Sequence, residues 1–202
     1  MATGFDTTAD CSMLAGQIKA AGLDFVGRYL SQNAHKAIGA AEAKALRAAG
    51  LAIVLVYEDG PTSASYFSAD RGTRDGMRAM QQASLIGAPA GTILYFAVDF
   101  DASSAEVANA VTPYFQSVNA AISNPGADQP RYRVGVYGSG AVCMALIEAG
   151  LAVKGWRACS RGWRGFSDFP DAAINQSLPA TRVGLSVDPD EANGDFGAIP
   201  PA

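Results

Sequence analysis

Short runs rich in Val, Ile, Tyr and Phe alternate along the chain with Ala-rich stretches whose apolar positions recur every three or four residues. The first kind reads as buried strand, the second as amphipathic helix. Strands are expected at Thr3–Asp6, Phe25–Tyr29, Ala52–Glu58, Thr92–Asp99, Arg133–Tyr137, Gly155–Cys159, Ala173–Gln176 and Val183–Asp188. Helices are expected between them at Ala9–Ala21, Ala40–Ala49, Arg71–Ile86, Ala105–Ile122 and Gly140–Ala149. In the first helix Met13, Leu14 and Ile18 form the inward stripe, Gln17 and Lys19 face away, and Gly22 ends it. Eight strands joined mostly by helices imply an α/β fold with a parallel sheet, and closing that sheet gives a (β/α)8, TIM-type barrel. The 202 residues fall short of the ~250 typical of that fold. The deficit lies after Gly155, where no helical period is found, so the barrel is expected to be irregular, with abbreviated helices in its second half. An open doubly wound sheet would want a glycine fingerprint after the first strand, and Gly4-Phe5-Asp6-Thr7 offers one glycine. No linker, repeat or low-complexity segment divides the chain, which reads as one domain over residues 1–202.

Composition narrows the function. Fifteen Lys and Arg against nineteen Asp and Glu give a net charge of −4, and 49% of residues are hydrophobic. A disordered chain would be less apolar. Nucleic acid and anionic membrane surfaces both call for basic blocks that are missing here. The longest apolar runs, such as Leu51–Tyr57, are far below the ~20 residues that span a bilayer. Cys11, Cys143 and Cys159 are too scattered for a disulfide framework, and a single histidine, His35, excludes a histidine-based zinc site. No cofactor and no bound metal are expected, and the chain reads as a monomer. The first residues lack the charged and apolar regions of a signal peptide, which implies a cytoplasmic protein or export by a non-standard route.

The residues that end the strands carry the chemistry. Asp6 closes the first strand, Glu58 the third, Asp99 the fourth with Asp101 just beyond, and Asp188 the last. In a (β/α)8 barrel the carboxyl ends of the strands build the active site, so these acids are expected around one mouth. Alternation supports this: Tyr95, Ala97, Asp99 and Asp101 share one parity and face the axis, while Leu94, Phe96, Val98 and Phe100 pack under helices. On the last strand Gly184, Ser186 and Asp188 point inward. Any one acid could be a cap or turn residue, as Asp101 could be for a helix starting near Ser104, and Asp190 reads as a turn residue after Asp188-Pro189. Several carboxyls crowded on one rim repel each other and point to proton chemistry or metal binding. Tyr57, Tyr95, Tyr137, Trp156 and Gln176 complete a mouth suited to sugars, although each aromatic could equally fill core.

Gly4-Phe5-Asp6, Val54-Leu-Val-Tyr-Glu58, Tyr95-Phe-Ala-Val-Asp-Phe-Asp101, Val136-Tyr-Gly-Ser-Gly140 and Ser186-Val-Asp188 together resemble a bacterial glycoside-hydrolase-like family. That family was long a domain of unknown function and is similar to the family-25 glycoside hydrolases, the muramidase-type lysozymes. The resemblance implies an irregular (β/α)8 barrel and a polysaccharide substrate of the bacterial cell wall, peptidoglycan-like. Its acidic mouth would include Asp6, Asp99 with Asp101, and Asp188, with Tyr137 and Gln176 holding substrate. The lysozymes carry Asp-x-Glu where this chain has Asp99-Phe100-Asp101, so their general acid is one methylene shorter here, and Glu58 is an alternative proton donor. On this reading Glu58 or Asp101 is the acid, Asp99 the neighbour that raises its pKa, and Asp6 and Asp188 position sugar or stabilise charge. Two alternatives remain open at this point: a carbohydrate-binding barrel without turnover, and a hydrolase using a divalent cation held by Asp6, Asp99 and Asp101.

Overall fold

The computed structural model describes residues 1–123 and 130–202. Seven strands run parallel and neighbour one another in chain order: β1 (Ala2–Asp6), β2 (Phe25–Leu30), β3 (Ala52–Tyr57), β4 (Ile93–Ala97), β5 (Arg133–Gly138), β6 (Gly155–Arg157) and β7 (Ile174–Gln176). The eighth position of the barrel is taken by β9 (Leu185–Ala192), which pairs with both β7 and β1 and closes the sheet on itself. β8 (Ala180–Arg182) pairs with β9 as a hairpin outside the barrel.

The barrel is as expected, but its last strand is not. β9 runs antiparallel to both neighbours, with Asp6 opposite Asp188 and Ala2 opposite Ala192. The expected strand at Val183–Asp188 therefore begins two residues too early and stops four too soon. Val183 and Gly184 are the two-residue turn of the β8–β9 hairpin, with φ of 44° and 82°. The pair of positive φ angles is what a tight hairpin with right-handed strand twist requires. Inward parity survives the reversal, because side chains alternate along a strand whichever way it runs.

Helices α1 (Ala15–Ala20), α2 (Ala40–Ala48), α3 (Ala69–Leu85), α5 (Thr112–Ser123) and α6 (Gly140–Glu148) cover the first part of the barrel. Ser68 caps α3 by accepting the Arg71 N–H. A short α4 (Ser104–Glu106) passes through a π-helical segment, Val107–Val111, into α5. Its cap is Ser103 in a reciprocal box with Glu106, so Asp101 is not the capping residue. The first helix is shorter than expected: Ser12–Leu14 is a 3-10 turn, and Met13 is exposed rather than part of the inward stripe. Beyond Glu148 the chain forms no helix, as the missing period foretold. Among the described residues, no helix is long and apolar enough to cross a membrane.

Two cores follow from alternation. The larger lies between helices and sheet and includes Phe5, Val26, Leu30, Leu55, Phe96, Phe115 and Val136. The smaller fills the barrel with Phe25, Val54, Val56, Ile93, Tyr95, Ala97, Trp156, Ile174 and Ala192. Cys11 and Cys143 are buried, Cys159 is half-buried, and all three are free thiols.

Candidate active site

Inward residues of β1, β2, β5–β7 and β9 form a hydrogen-bonded floor. Asp6 ends β1, and its Oδ1 accepts the Tyr29 hydroxyl of β2 at 2.6 Å. Its Oδ2 accepts Gln176 Nε2 of β7 at 2.8 Å. The Tyr137 hydroxyl of β5 donates to Gln176 Oε1 at 2.9 Å, and the Cys159 N–H reaches the same oxygen at 3.3 Å. Trp156 of β6 stands edge-on to Tyr137, ring centroids 5.6 Å apart, and its indole N–H donates to Asp190 Oδ1 at 2.9 Å. Gly27 on β2 makes room for this packing. A Cβ there would lie 2.7 Å from Asp6 Cβ and 2.9 Å from the Trp156 ring. Asp6, Tyr29, Val56, Glu58, Tyr137 and Trp156 line a small pit above this floor.

Carboxyls ring the pit. Glu58 follows β3 directly and pairs with Lys36 at 2.9 Å, both side chains half-buried. The Lys36 ammonium also lies 4.8 Å over the Tyr29 ring. Asp59 shapes the adjoining loops, accepting the Gln32 N–H at 2.9 Å and the Tyr57 hydroxyl at 2.6 Å, together with the Ser31 hydroxyl. Asp99 and Asp188 are half-buried, and neither carboxyl has a hydrogen-bond or ion-pair partner among the described residues.

The electrostatics tie these acids to one another. Burial pushes the Asp6 carboxyl up to about 7, and the charges of Asp188 and Glu58 add to the rise against the hydrogen bonds from Tyr29 and Gln176. Burial raises Asp99 as well, Glu58 and then Asp188 adding to the rise while Lys36 opposes it. Burial alone raises Asp188. Asp190, wholly enclosed, is held well above the carboxylate range by burial first and then by Asp6. Asp6, Glu58, Asp99 and Asp188 thus sense each other across one mouth, although they come from four strands.

Three residues singled out in the sequence lie elsewhere. Tyr57 is on the outward face of β3, where it packs on Phe96 and donates to Asp59 and Asp75. Asp75 also accepts from Tyr66 and Tyr114, so Tyr57 belongs to a buried cluster under α3 and α5. Tyr95 faces the axis, but its hydroxyl donates to the Phe196 carbonyl at 3.0 Å, away from the pit. Asp101 turns outward to Arg164 of the β6–β7 loop, accepting its backbone N–H at 2.8 Å and its guanidinium at 2.8 Å. The cation site drawn from Asp6, Asp99 and Asp101 is therefore not assembled. Among the described residues, no three His, Cys, Asp or Glu side chains are grouped so as to hold a metal ion. The sequence reading missed Tyr29, Lys36 and the inward Asp190. Parity with Phe25 and Gly27 would have found Tyr29, and parity with Asp188 would have found Asp190.

The model of the Rv2525c-like, glycoside hydrolase-like domain family matches residues 16–189. The chain belongs to this family. The matched span of the Rv2525c-like domain takes in Glu58, Asp99, Tyr137, Gln176 and Asp188, with Asp6 and Asp190 just outside it. Two uncharacterized proteins of Bacillus subtilis are similar in sequence. YbfG is 38% identical over 159 residues, covering 74% of this chain and 22% of its own length. FadG is 29% identical over 161 residues, covering 77% and 28%. The chain thus spans about a quarter of these relatives. Among solved structures, the Tat-secreted protein Rv2525c of Mycobacterium tuberculosis in complex with HEPES is similar at a TM-score of 0.80, with 24% identity over 98% of both chains. A structure of the same protein with L-tartrate matches equally well. The Clostridium perfringens spore cortex lytic enzyme SleM is similar at 0.57, with 14% identity over 96% of this chain and 68% of that one. At these identities the structural likeness speaks for the barrel.

Proposed function

We propose that this Rv2525c-like barrel is a glycoside hydrolase acting on a bacterial cell-wall polysaccharide of the peptidoglycan type. The observation that carries the reading is the contrast between Asp99 and Glu58 on adjacent strand ends. Glu58 is paired with Lys36 at 2.9 Å. Asp99 has no such partner, and burial together with the charge of Glu58 favours its protonated form. A carboxyl whose pKa is raised beside one held in an ion pair is an arrangement suited to the two carboxyl roles of glycoside cleavage. Asp99 then delivers the proton to the leaving glycosidic oxygen, and Glu58 faces the positive charge that develops at the anomeric carbon.

This assignment differs from the one suggested by resemblance, which gave the acid role to Glu58 or Asp101. Both of those carboxylates sit in ion pairs, and Asp101 points away from the pit. Asp6, Gln176, Tyr137 and Tyr29 form a polar floor against which sugar hydroxyls are positioned, Trp156 stiffens it, and Asp188 faces the bound sugar from β9. SleM, which shares the barrel, is a spore cortex lytic enzyme, and this accords with a wall substrate. A second reading, a carbohydrate-binding barrel without turnover, is favoured by one observation: the position that holds the acid in the resembled lysozymes is Asp101, engaged by Arg164.

The test is digestion of purified peptidoglycan and of chitin-type oligomers by wild type, Asp99→Asn and Glu58→Gln, with mass-spectrometric analysis of products. New reducing ends from wild type, absent with both variants, support the hydrolase. Retention of glycan by all three proteins with no new reducing ends favours the binding module.

A further inference from the structure

Asp190 is used by none of the roles above. It lies on β9 two residues past Asp188, opposite Gly4 of β1 and Gln176 of β7. Its side chain is 2% exposed. Oδ1 accepts the Trp156 indole N–H, whereas Oδ2 is sealed from solvent with no donor. That carboxyl is within hydrogen-bonding reach of Asp6, whose own two oxygens accept from Tyr29 and Gln176. Ionisable and polar groups face the pair from every side of the barrel: Tyr29 on β2, Glu58 after β3, Tyr137 on β5, Trp156 and Cys159 on and after β6, Gln176 on β7 and Asp188 on β9. Among the described residues, no lysine or arginine forms an ion pair with either acid, and Lys36 is engaged by Glu58.

Two adjacent carboxylates in a dry barrel without a cation cannot both be charged, since each would bear the full cost of desolvation and of the other's field. An oxygen that lacks a donor is satisfied if it carries the proton itself and donates. We infer that Asp6 and Asp190 share a single proton in one O–H···O bond, which makes Asp190 a positioning residue that anchors Asp6 against Tyr29 and Gln176 beneath the reactive pair. The shared proton rests on the buried, donorless Asp190 Oδ2 and on its closeness to Asp6; its bearing on turnover rests on the proposed hydrolase reading. As in other carboxyl dyads, the titration belongs to the pair rather than to either member.

The experiment is an NMR titration of aspartate carboxyl carbons in the substrate-free protein: wild type, Asp190→Asn and Asp6→Asn. Wild type is expected to show one carboxyl step near the value of about 7 to which Asp6 is raised. In Asp190→Asn the amide donates without holding a proton, so the Asp6 step should fall by about one pH unit or more. If Asp190→Asn does not fold, Asp6→Asn gives the reciprocal reading, with the near-neutral step lost or displaced. A wild type with no carboxyl step above about 5, or steps unmoved in the folded variants, overturns the inference. Because no substrate is present, an inactive protein that still shows the near-neutral step refutes the hydrolase reading and leaves the dyad standing. For an active protein, the pH profile of kcat should shift in Asp190→Asn, which a purely structural residue would not cause.

Discussion

Arg28 and Glu42 form a buried ion pair near the site, and removing Glu42 should cost a large part of the protein's stability. Arg28 on β2 and Glu42 on α2 are 1% and 3% exposed and meet in a fork, Nε to Oε1 at 2.7 Å and Nη2 to Oε2 at 3.1 Å. Glu42 Oε1 also accepts the Cys11 N–H at 2.8 Å, and Arg28 donates to the Thr7 carbonyl, next in the chain to Asp6. Glu42→Ala leaves a guanidinium buried and uncompensated, which costs about 3–5 kcal/mol. The stranded Cys11 N–H adds about 1–3 kcal/mol. The sum is a large part of the ~5–15 kcal/mol that holds a typical domain together. The double variant Arg28→Met/Glu42→Leu removes both charges, so it should be more stable than Glu42→Ala by about 2 kcal/mol or more. Urea unfolding of wild type, Glu42→Ala, Arg28→Met, Glu42→Leu and the double variant closes the cycle, with midpoints compared at constant slope. A loss below about 1 kcal/mol in Glu42→Ala, or a double variant less stable than that single, refutes the view of this pair as a buried, mutually dependent clamp.

Four further outcomes are expected. Val183 has φ of 44° in the hairpin turn, a conformation that costs a β-branched residue roughly 1–3 kcal/mol; Val183→Asn should therefore raise the thermal midpoint, read by circular dichroism. Because Asp99 must be protonated to act and its pKa is raised, activity should fall as pH rises through a limb lying above the ordinary carboxylate range. Asp188→Asn removes one of the charges that raise Asp99 and should move that limb to lower pH in a kcat profile. Asp101→Asn breaks only a half-exposed pair with Arg164, so it should cost at most about 1 kcal/mol and leave kcat within a few-fold of wild type.

The barrel was legible because burial on two faces imposes two different rules. Inward and outward positions alternate, which placed Tyr95, Ala97 and Asp99 on one parity, and helical periods marked the crossovers as far as α6. The direction of the last strand was legible too, from a feature that alternation ignores. Only six residues separate Gln176 from Val183, and a parallel return needs a crossover of about a dozen. An antiparallel strand was the only geometry short enough. Parity placed Asp6, Glu58, Asp99 and Asp188 at the mouth, but it failed for Asp101 beyond the end of β4, which turns to Arg164, and it gave no partners. Lys36 beside Glu58 and Arg164 beside Asp101 come from loops, whose paths depend on tertiary contacts rather than on a period. Tyr57 shows the same limit: it shares its strand with Val56, yet parity turns it outward to Asp75, where three tyrosines satisfy one buried carboxylate.

The central claim is that Asp99 is the proton donor of an acidic mouth assembled from distant strands. Its most direct test is the rate of reducing-end release from one soluble peptidoglycan strand by wild type and by Asp99→Asn, with glycan binding measured on the same samples. In Asp99→Asn kcat is expected to fall by about 10²–10⁴-fold with binding preserved, the range that a general acid contributes. An Asp99→Asn protein that cleaves at the wild-type rate contradicts it.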